Sequence, residues 1–385
     1  MPGFEWIDEK EKLAVSSIFD NGGVLFAHGF DAMRNGIYHV REFEKKCSAK
    51  FGSKYCQAVS SGTAATKIAL KAVGVKPGDE VITQGFNFIA TVEAILECGA
   101  SPIIANVDRS LNLDPSELEH LVSSKTKAIV PVHMLGVPAD MNPIMEIAKS
   151  NGIPVVEDNC ESVGAGYGDA YLGTIGDAGV FSFDQGKIIA TGEGGMVLTN
   201  DNSVFKYACE YHDHGHENNP AFPRGLDTCS IHGFNYRMTE MQAAVGKVQL
   251  TKLDKILESN KARYLGLEES MGESFSFREI PQNSKIIHDC LIFFEDSSIK
   301  RKQFVELLNT NGFGTKNLPD AINWHCAAYW GHALEENQIN RILPTKELLS
   351  SAIAIPIWKR KSIDDYIKLG NSLRSLNKST DYKID

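Results

Sequence analysis

The 385 residues contain no apolar run approaching the roughly 20 that cross a bilayer. The opening MPGFEWIDEKEK is charged where a secretion signal carries an apolar stretch. Both absences point to a cytoplasmic protein. Long lysine or arginine runs are missing too, and 39 basic against 49 acidic side chains leave a net charge of -10. That balance argues against nucleic acid or anionic membrane as the main partner and favours a small molecule. Cys47, Cys56, Cys98, Cys160, Cys209, Cys229, Cys290 and Cys326 are scattered without a C-x-x-C pair, so neither zinc nor a disulfide framework is expected. What is abundant is apolar character, at 43% of residues, which supplies the core of one large domain and a smaller one.

From about residue 55 short apolar strands alternate with amphipathic helices, the pattern of a mostly parallel α/β sheet covered on both faces. TAATKIALKAVGV reads as a helix, DEVITQGFNF as a strand, IATVEAILECGA as a helix and SPIIANVD as a strand. Asp114 is placed to cap a helix with Pro115 first and Glu117 closing a capping box. KAIVPVHMLG then returns as a strand; Asn142-Pro143 opens a helix that Gly152 ends, and IPVVEDN re-enters the sheet. GVFSFD and GGMVLTND are strands flanking Lys187, which places that lysine near a strand end, where open α/β sheets bind ligands. After the helical stretch starting at MTEMQAAVG the texture changes, and residues 1–254 are expected to form the large domain and 255–385 a smaller α+β domain.

Lys187 alone is no more than a solvated lysine. Three other features change its meaning. Asp158 ends an apolar strand, where a carboxylate is costly to bury without a positive partner. Ser60-Ser61-Gly62-Thr63-Ala64 opens a helix with small residues whose exposed N–H groups suit a phosphate. Phe86 and Phe88 follow a strand and offer a flat apolar face. An amine nucleophile, a carboxylate, a phosphate cradle and an aromatic plate are together what pyridoxal 5'-phosphate requires.

Blocks spread along nearly the whole chain carry a resemblance: VREFEKKCSAKFG, SSGTAATKIAL, PGDEVITQGFNFIATVEAI, PVHMLGVPADM, VVEDNCESVGA, FSFDQGKIIATGEGGMVLTND, GFNYRMTEMQAAVGKVQL and LPTKELLSSAIAIPI. In that order they resemble the DegT/DnrJ/StrS-type sugar aminotransferases, which have the fold-type I architecture of pyridoxal phosphate enzymes. The resemblance implies that Lys187 links covalently to the cofactor and that Asp158 partners its pyridine nitrogen. It implies Phe88 stacked on the ring and Ser61, Gly62, Thr63, Ala64 and Ser182 around the phosphate, with Asn235 reaching the phosphate of the neighbouring subunit in a homodimer. It implies transfer of an amino group from L-glutamate, through the pyridoxamine phosphate form, to a keto or aldehyde carbon of a modified sugar. An 8-oxo octulosonate is the foremost acceptor, with a nucleotide-linked sugar or small keto phosphate as alternatives. A non-catalytic regulatory protein on the same fold is a further alternative.

Two departures qualify it. Glu157-Asp158-Asn159-Cys160-Glu161 places a glutamate where many relatives read glutamine beside the cofactor's phenolic oxygen, so Glu161 is expected to be protonated, shielded or turned away. A similar E-D-N-C block occurs in the family's dehydratases, which resemble this chain with histidine at the lysine position; Lys187 therefore favours transamination. The second departure is Tyr211-His212-Asp213-His214-Gly215-His216-Glu217-Asn218-Asn219-Pro220. Its alternating histidines could bind metal, but no step of the chemistry needs one, and His214 is better placed in the sugar pocket. His212 and His216 can equally be parts of a self-bonded loop. His325, in the Asn323-Trp324-His325 run, is a candidate substrate contact, and Trp324 and Trp330 are either core or stacking residues. Arg34 and Arg237 are candidates for an anionic substrate group, with structural ion pairs as the alternative. Gly192-Glu193-Gly194-Gly195 lacks P-loop spacing and reads as a tight turn.

Overall fold

The computed structural model describes residues 3–219, 221–222 and 226–379; Met1, Pro2 and Pro220 lie outside them. Strands β1 (Tyr55–Val59), β2 (Glu80–Gln84), β3 (Ser101–Ala105), β4 (Thr126–Ile129), β5 (Val156–Asp158), β6 (Ala178–Ser182) and β7 (Gly195–Thr199) build the central layer. A three-stranded sheet, β3-β2-β4, meets a four-stranded one, β5-β6-β7-β1, through parallel bridges from Ile129 to Val155 and from Val132 to Asp158. The resulting order is β3-β2-β4-β5-β6-β7-β1, and β7 alone runs against the rest. Strands buried on both faces need continuous apolar runs, and β6, AGVFS, is buried at every position.

Helices α1 (Glu9–Asp20), α2 (His39–Phe51), α3 (Gly62–Ala72), α4 (Ala90–Glu97), α5 (Met141–Asn151) and α6 (Asn202–Tyr211) accompany the sheet. Gly152, at φ 64, ends α5 in the left-handed conformation that glycine adopts without penalty. One expected element differs. Asp114 does cap Pro115–Glu117, but that segment is a 3-10 turn, and Glu117 turns to Asn106, accepting from its backbone N–H at 2.7 Å and from Nδ2 at 2.8 Å. The carboxylate thus tethers the turn to the end of β3 instead of closing a capping box.

Helix α7 (Glu240–Met271) is 32 residues long and begins with a formed capping box between Thr239 and Gln242. Its first half packs on α2, where Gly246 lies so close to the Phe43 ring that a Cβ would come within 2.7 Å of it. Its second half buries Tyr264, Leu267 and Met271 in a separate core with Phe293, Phe304, Ile355 and Tyr366. The boundary read at 254/255 falls inside this helix, so the chain passes from one core to the other without a loop. Beyond it, β8 (Ser276–Phe277), β9 (Cys290–Phe294) and β10 (Ala352–Pro356) form an antiparallel sheet in the order β8-β9-β10. Helices α8 (Ser298–Thr310) and α9 (Ile363–Ser379) belong to this region, with shorter helical segments between them.

Candidate active site

At the carboxyl ends of the parallel strands lies a cavity of about 410 Å³, lined among others by Ser61, Phe88, Asp158, Glu161, Ser182 and Lys187. Its location follows from the sheet: neighbouring parallel strands end side by side, and the connections they feed diverge above them. Lys187 is delivered by an excursion between antiparallel β6 and β7. Phe183 N–H donates to the Gly194 carbonyl at 2.8 Å and Gln185 N–H to Gly192 at 3.0 Å, closing that excursion like a hairpin. Gly192 and Gly194 have φ of 85 and 155, which explains the glycines after the lysine as turn geometry. The Lys187 carbonyl also accepts from Gly3 N–H at 2.9 Å, so the N-terminal 3-10 turn Gly3–Trp6 braces the loop.

Asp158 is only 4% exposed. Thr91 Oγ1 donates to its Oδ2 at 2.7 Å and Cys160 N–H to Oδ1 at 3.1 Å, fixing the carboxylate in orientation with lone pairs still open to the cavity. Lys187 Nζ stands 3.1 Å from Glu161 Oε1. Burial alone would raise the Glu161 carboxyl, but the positive charge of Lys187, then that of Lys316 and His325, outweighs it and holds the group at about 2. Burial works against the Lys187 ammonium, yet Glu161, Cys160 and Asp184 together raise its proton affinity above the ordinary value. The pair is therefore ionised. Of the states expected for Glu161, shielding by the Lys187 charge is the one this geometry favours.

Helix α3 opens on the opposite wall. Ser61 is its N-cap, and its Oγ accepts from Ala64 N–H at 3.1 Å. The free N–H groups at the start of α3 and the Ser182 hydroxyl, at the end of β6, border the cavity. Gly62 keeps them close: a Cβ there would sit 2.8 Å from Ser182 Cβ. Ala64 is an exception to the expected cradle, because its N–H is taken by the cap and its side chain faces an adjoining hollow instead.

Phe88 is 44% exposed and edges the cavity, whereas Phe86 is fully buried in the core. Its ring stacks toward Trp324 at 6.5 Å and tilts onto His325 at 5.5 Å. Asn87 N–H donates to the His325 carbonyl at 3.0 Å, so the segment after β2 and the Trp324-His325 run are one unit. His325 lines the cavity with Nδ1 against the Ala321 carbonyl at 2.9 Å, and its burial lowers its proton affinity despite the pull of Glu161. Trp330 is a core residue, its Nε1 donating to the Asn323 carbonyl at 3.0 Å.

The remaining candidates are placed elsewhere. Arg34 is 2% exposed, pairs with Glu240 at 3.8 Å and covers the Tyr38 ring. Arg237 pairs with Asp213 and lies 4.9 Å over the Phe26 ring. Within this chain both arginines face carboxylates and aromatic rings and not the cavity. The exposed His214 does not line the cavity, and the exposed Asn235 lies outside it as well. His212 bonds Cys209 and Gln57, while His216 bonds Asp227 at 3.0 Å, so the alternating histidines diverge. Among the described residues no group of three or more His, Cys, Asp or Glu could hold a metal, and no helix is long and apolar enough to cross a membrane. Thr91, Lys316 and Asp289 went unread. Thr91 sits in an apolar helix turn and the other two in irregular segments, so no periodicity marks them.

The residues fit pyridoxal phosphate on the structure's own terms. Gly62 preserves an anion cradle, and a lysine and a carboxylate face the same space. Fold and site together define a fold-type I architecture with a cavity that fits pyridoxal phosphate. The chain belongs to the DegT/DnrJ/EryC1/StrS aminotransferase family, whose profile matches residues 30–374. Over 225 residues it is 42% identical to the GDP-perosamine synthase of Caulobacter vibrioides, a match covering 58% of this chain and 59% of that one. It is 35% identical over 296 residues to the pleiotropic regulatory protein of Geobacillus stearothermophilus, covering 74% and 77% of the two chains. Among solved structures, the aminotransferase of Psychrobacter cryohalolentis superposes with a TM-score of 0.85 at 27% identity, covering 97% of this chain and 98% of its own.

Proposed function

We propose that this protein is an aminotransferase that passes an amino group from L-glutamate to a keto carbon of a nucleotide-linked sugar. The observation that carries the reading is the Lys187 amine, 3.1 Å from Glu161 in a cavity it shares with Asp158 and the start of α3. Bound there, pyridoxal phosphate supplies an electron sink for the carbon that carries the amino group. Asp158, locked by Thr91 and Cys160, offers a fixed negative charge to a protonated ring nitrogen. The α3 N–H groups and Ser182 hold an anion, and Phe88 limits water on one side. Lys187, once free, is the group able to take a proton from the donor carbon and return one to the acceptor. Glu161 is close enough to steady that amine in either state.

The nucleotide-linked acceptor is supported by relatives named for GDP-perosamine; nothing comparable supports the octulosonate. A homodimer belongs to the same proposal, because Asn235 is exposed away from its own chain's cavity and is available to a neighbour's phosphate. The test uses the protein loaded with pyridoxal phosphate. It should be yellow, lose that colour with L-glutamate, and pass label from [15N]glutamate to a keto nucleotide sugar. Loss of colour with release of a hydroxyl and no label transfer identifies a dehydratase. No colour at all ends the reading and leaves a regulatory role, as the Geobacillus relative is named for.

A further inference from the structure

Behind the Lys187 amine the cavity continues into a small hollow lined by Cys160, Glu161, Lys187, Asp289 and Lys316. Charges of both signs are gathered there. Lys187 Nζ lies 3.1 Å from Glu161 Oε1, and Lys316 Nζ lies 2.7 Å from Asp289 Oδ2, with Lys316 and Asp289 side chains 4% and 3% exposed. Lys316 and Asp289 come from the C-terminal region. Lys316 N–H donates to the Ala354 carbonyl of β10 at 2.9 Å, and the Asp289 carbonyl accepts from Ile357 N–H at 3.0 Å. Both are anchored by backbone bonds and meet the lysine loop of the large sheet in this hollow.

A buried ion pair pays heavily in lost hydration and is weak evidence for stability by itself. Its position needs another account. Glu161 shares the hollow with Lys187 on its loop and with Lys316 bonded to β10, and the charges of both, with that of His325, favour its ionised form. Lys316 in turn feels Asp289 first and Glu161 second; these outweigh its burial and keep it charged. We propose that Lys316 is a positioning residue whose fixed charge, held by Asp289, shares the Glu161 carboxylate with Lys187 and so eases loss of the Lys187 proton. Without Lys316, Glu161 has one close lysine and holds that proton harder. With it, Glu161 stays compensated when the amine is neutral. The other ionisable groups about Lys187 are Cys160, Asp158, Asp184, Glu193 and His325, and none of them is a second fixed cation on Glu161. The inference rests on Lys187 being the reacting amine.

The experiment uses the cofactor-free full chain. Lys187 is labelled with acetic anhydride across a pH series, and its peptide is quantified by mass spectrometry to give the midpoint for deprotonation. Lys316→Met is expected to raise that midpoint by about one pH unit, a roughly tenfold slower labelling below it. Lys316→Arg should keep the midpoint near that of the parent. Should the single variant fail to fold, Lys316→Met with Asp289→Asn leaves no stranded carboxylate and should still move the midpoint upward. An unchanged midpoint in a folded Met variant, single or double, overturns the proposal. Failure of the parent to take up pyridoxal phosphate would instead overturn the functional reading, and the midpoint shift would stand apart from it.

Discussion

The cavity around Lys187 and the 211–237 segment both bury ionisable side chains beside glycines, yet they are built on opposite principles. In the segment each buried group finds its partner nearby. His212 Nδ1 meets the Cys209 carbonyl at 2.6 Å and its Nε2 meets Gln57, Asp213 takes Arg237, and His216 takes Asp227. In the cavity, Glu161 Oε2 has no hydrogen-bond partner, Asp158 keeps open lone pairs and Lys187 reaches open space. Burial with complete satisfaction makes structure; burial with directed incompleteness makes a site.

The strongest way to break this contrast is to remove the amine. Lys187→Ala is expected to lower turnover on the order of 10³-fold or more and to abolish the yellow colour. Its thermal unfolding should still be cooperative, since Lys316 remains to face Glu161. Absorbance and label transfer check the first claim and calorimetry the second; a variant with parental turnover would remove the site from Lys187 altogether. Asp158→Asn comes next. It keeps the shape and the Thr91 contact but removes the charge, and a loss on the order of 10²-fold in kcat is expected, as for other preorganised electrostatic partners.

On the segment side the expected effect is on stability and is smaller. Burial outweighs the bond to Cys209 and holds the His212 ring down at about 4, so it is neutral in the fold while an unfolded chain protonates near the ordinary 6.5. The unfolded state therefore binds the extra proton in that window. The contribution is whole above pH 6.5 and is lost as pH falls toward 4, by about 2 kcal/mol at pH 5. Urea unfolding at pH 7 and pH 5, compared with His212→Phe, reads it directly: the variant should lose that part of the slope. A variant with the parent's slope would mean that His212 titrates normally.

The same contrast explains what was legible beforehand. The alternating strands and helices fixed the sheet because periodicity reports which face is buried, and β6 and α5 lie where their residues place them. Lys187, Asp158, Ser61, Gly62, Ser182, Phe88 and His325 do border one cavity, since Asp158 and Ser182 end strands, Ser61 and Gly62 start a helix, and the others lie in connections beyond the strand ends. For Arg34 and Arg237 the sequence left an anionic substrate and a structural ion pair both open, because it does not reveal that Glu240 and Asp213 stand beside them. Glu117 failed as a box residue for a similar reason: Asn106, at the end of a strand, is a tertiary competitor with no local mark. Thr91, Asp289 and Lys316 were invisible because each matters only through a residue far away in the chain.

His214 gives the finest test of the comparison. It sits at φ 57, its N–H donating to the Phe234 carbonyl at 3.0 Å, and its side chain is exposed outside the cavity. Its role in this chain's own fold is thus carried by backbone, and His214→Ala removes an exposed ring. Stability should change by no more than about 0.5 kcal/mol, as for other exposed substitutions. His214→Gly would relax the positive φ and should leave the fold equal or slightly more stable, by less than about 1 kcal/mol. If the alanine variant instead loses acceptor affinity at unchanged glutamate half-reaction, the ring reaches substrate from a surface position. That outcome would support a site completed by a second copy. Paired half-reaction kinetics and sedimentation of the same variant distinguish the two outcomes.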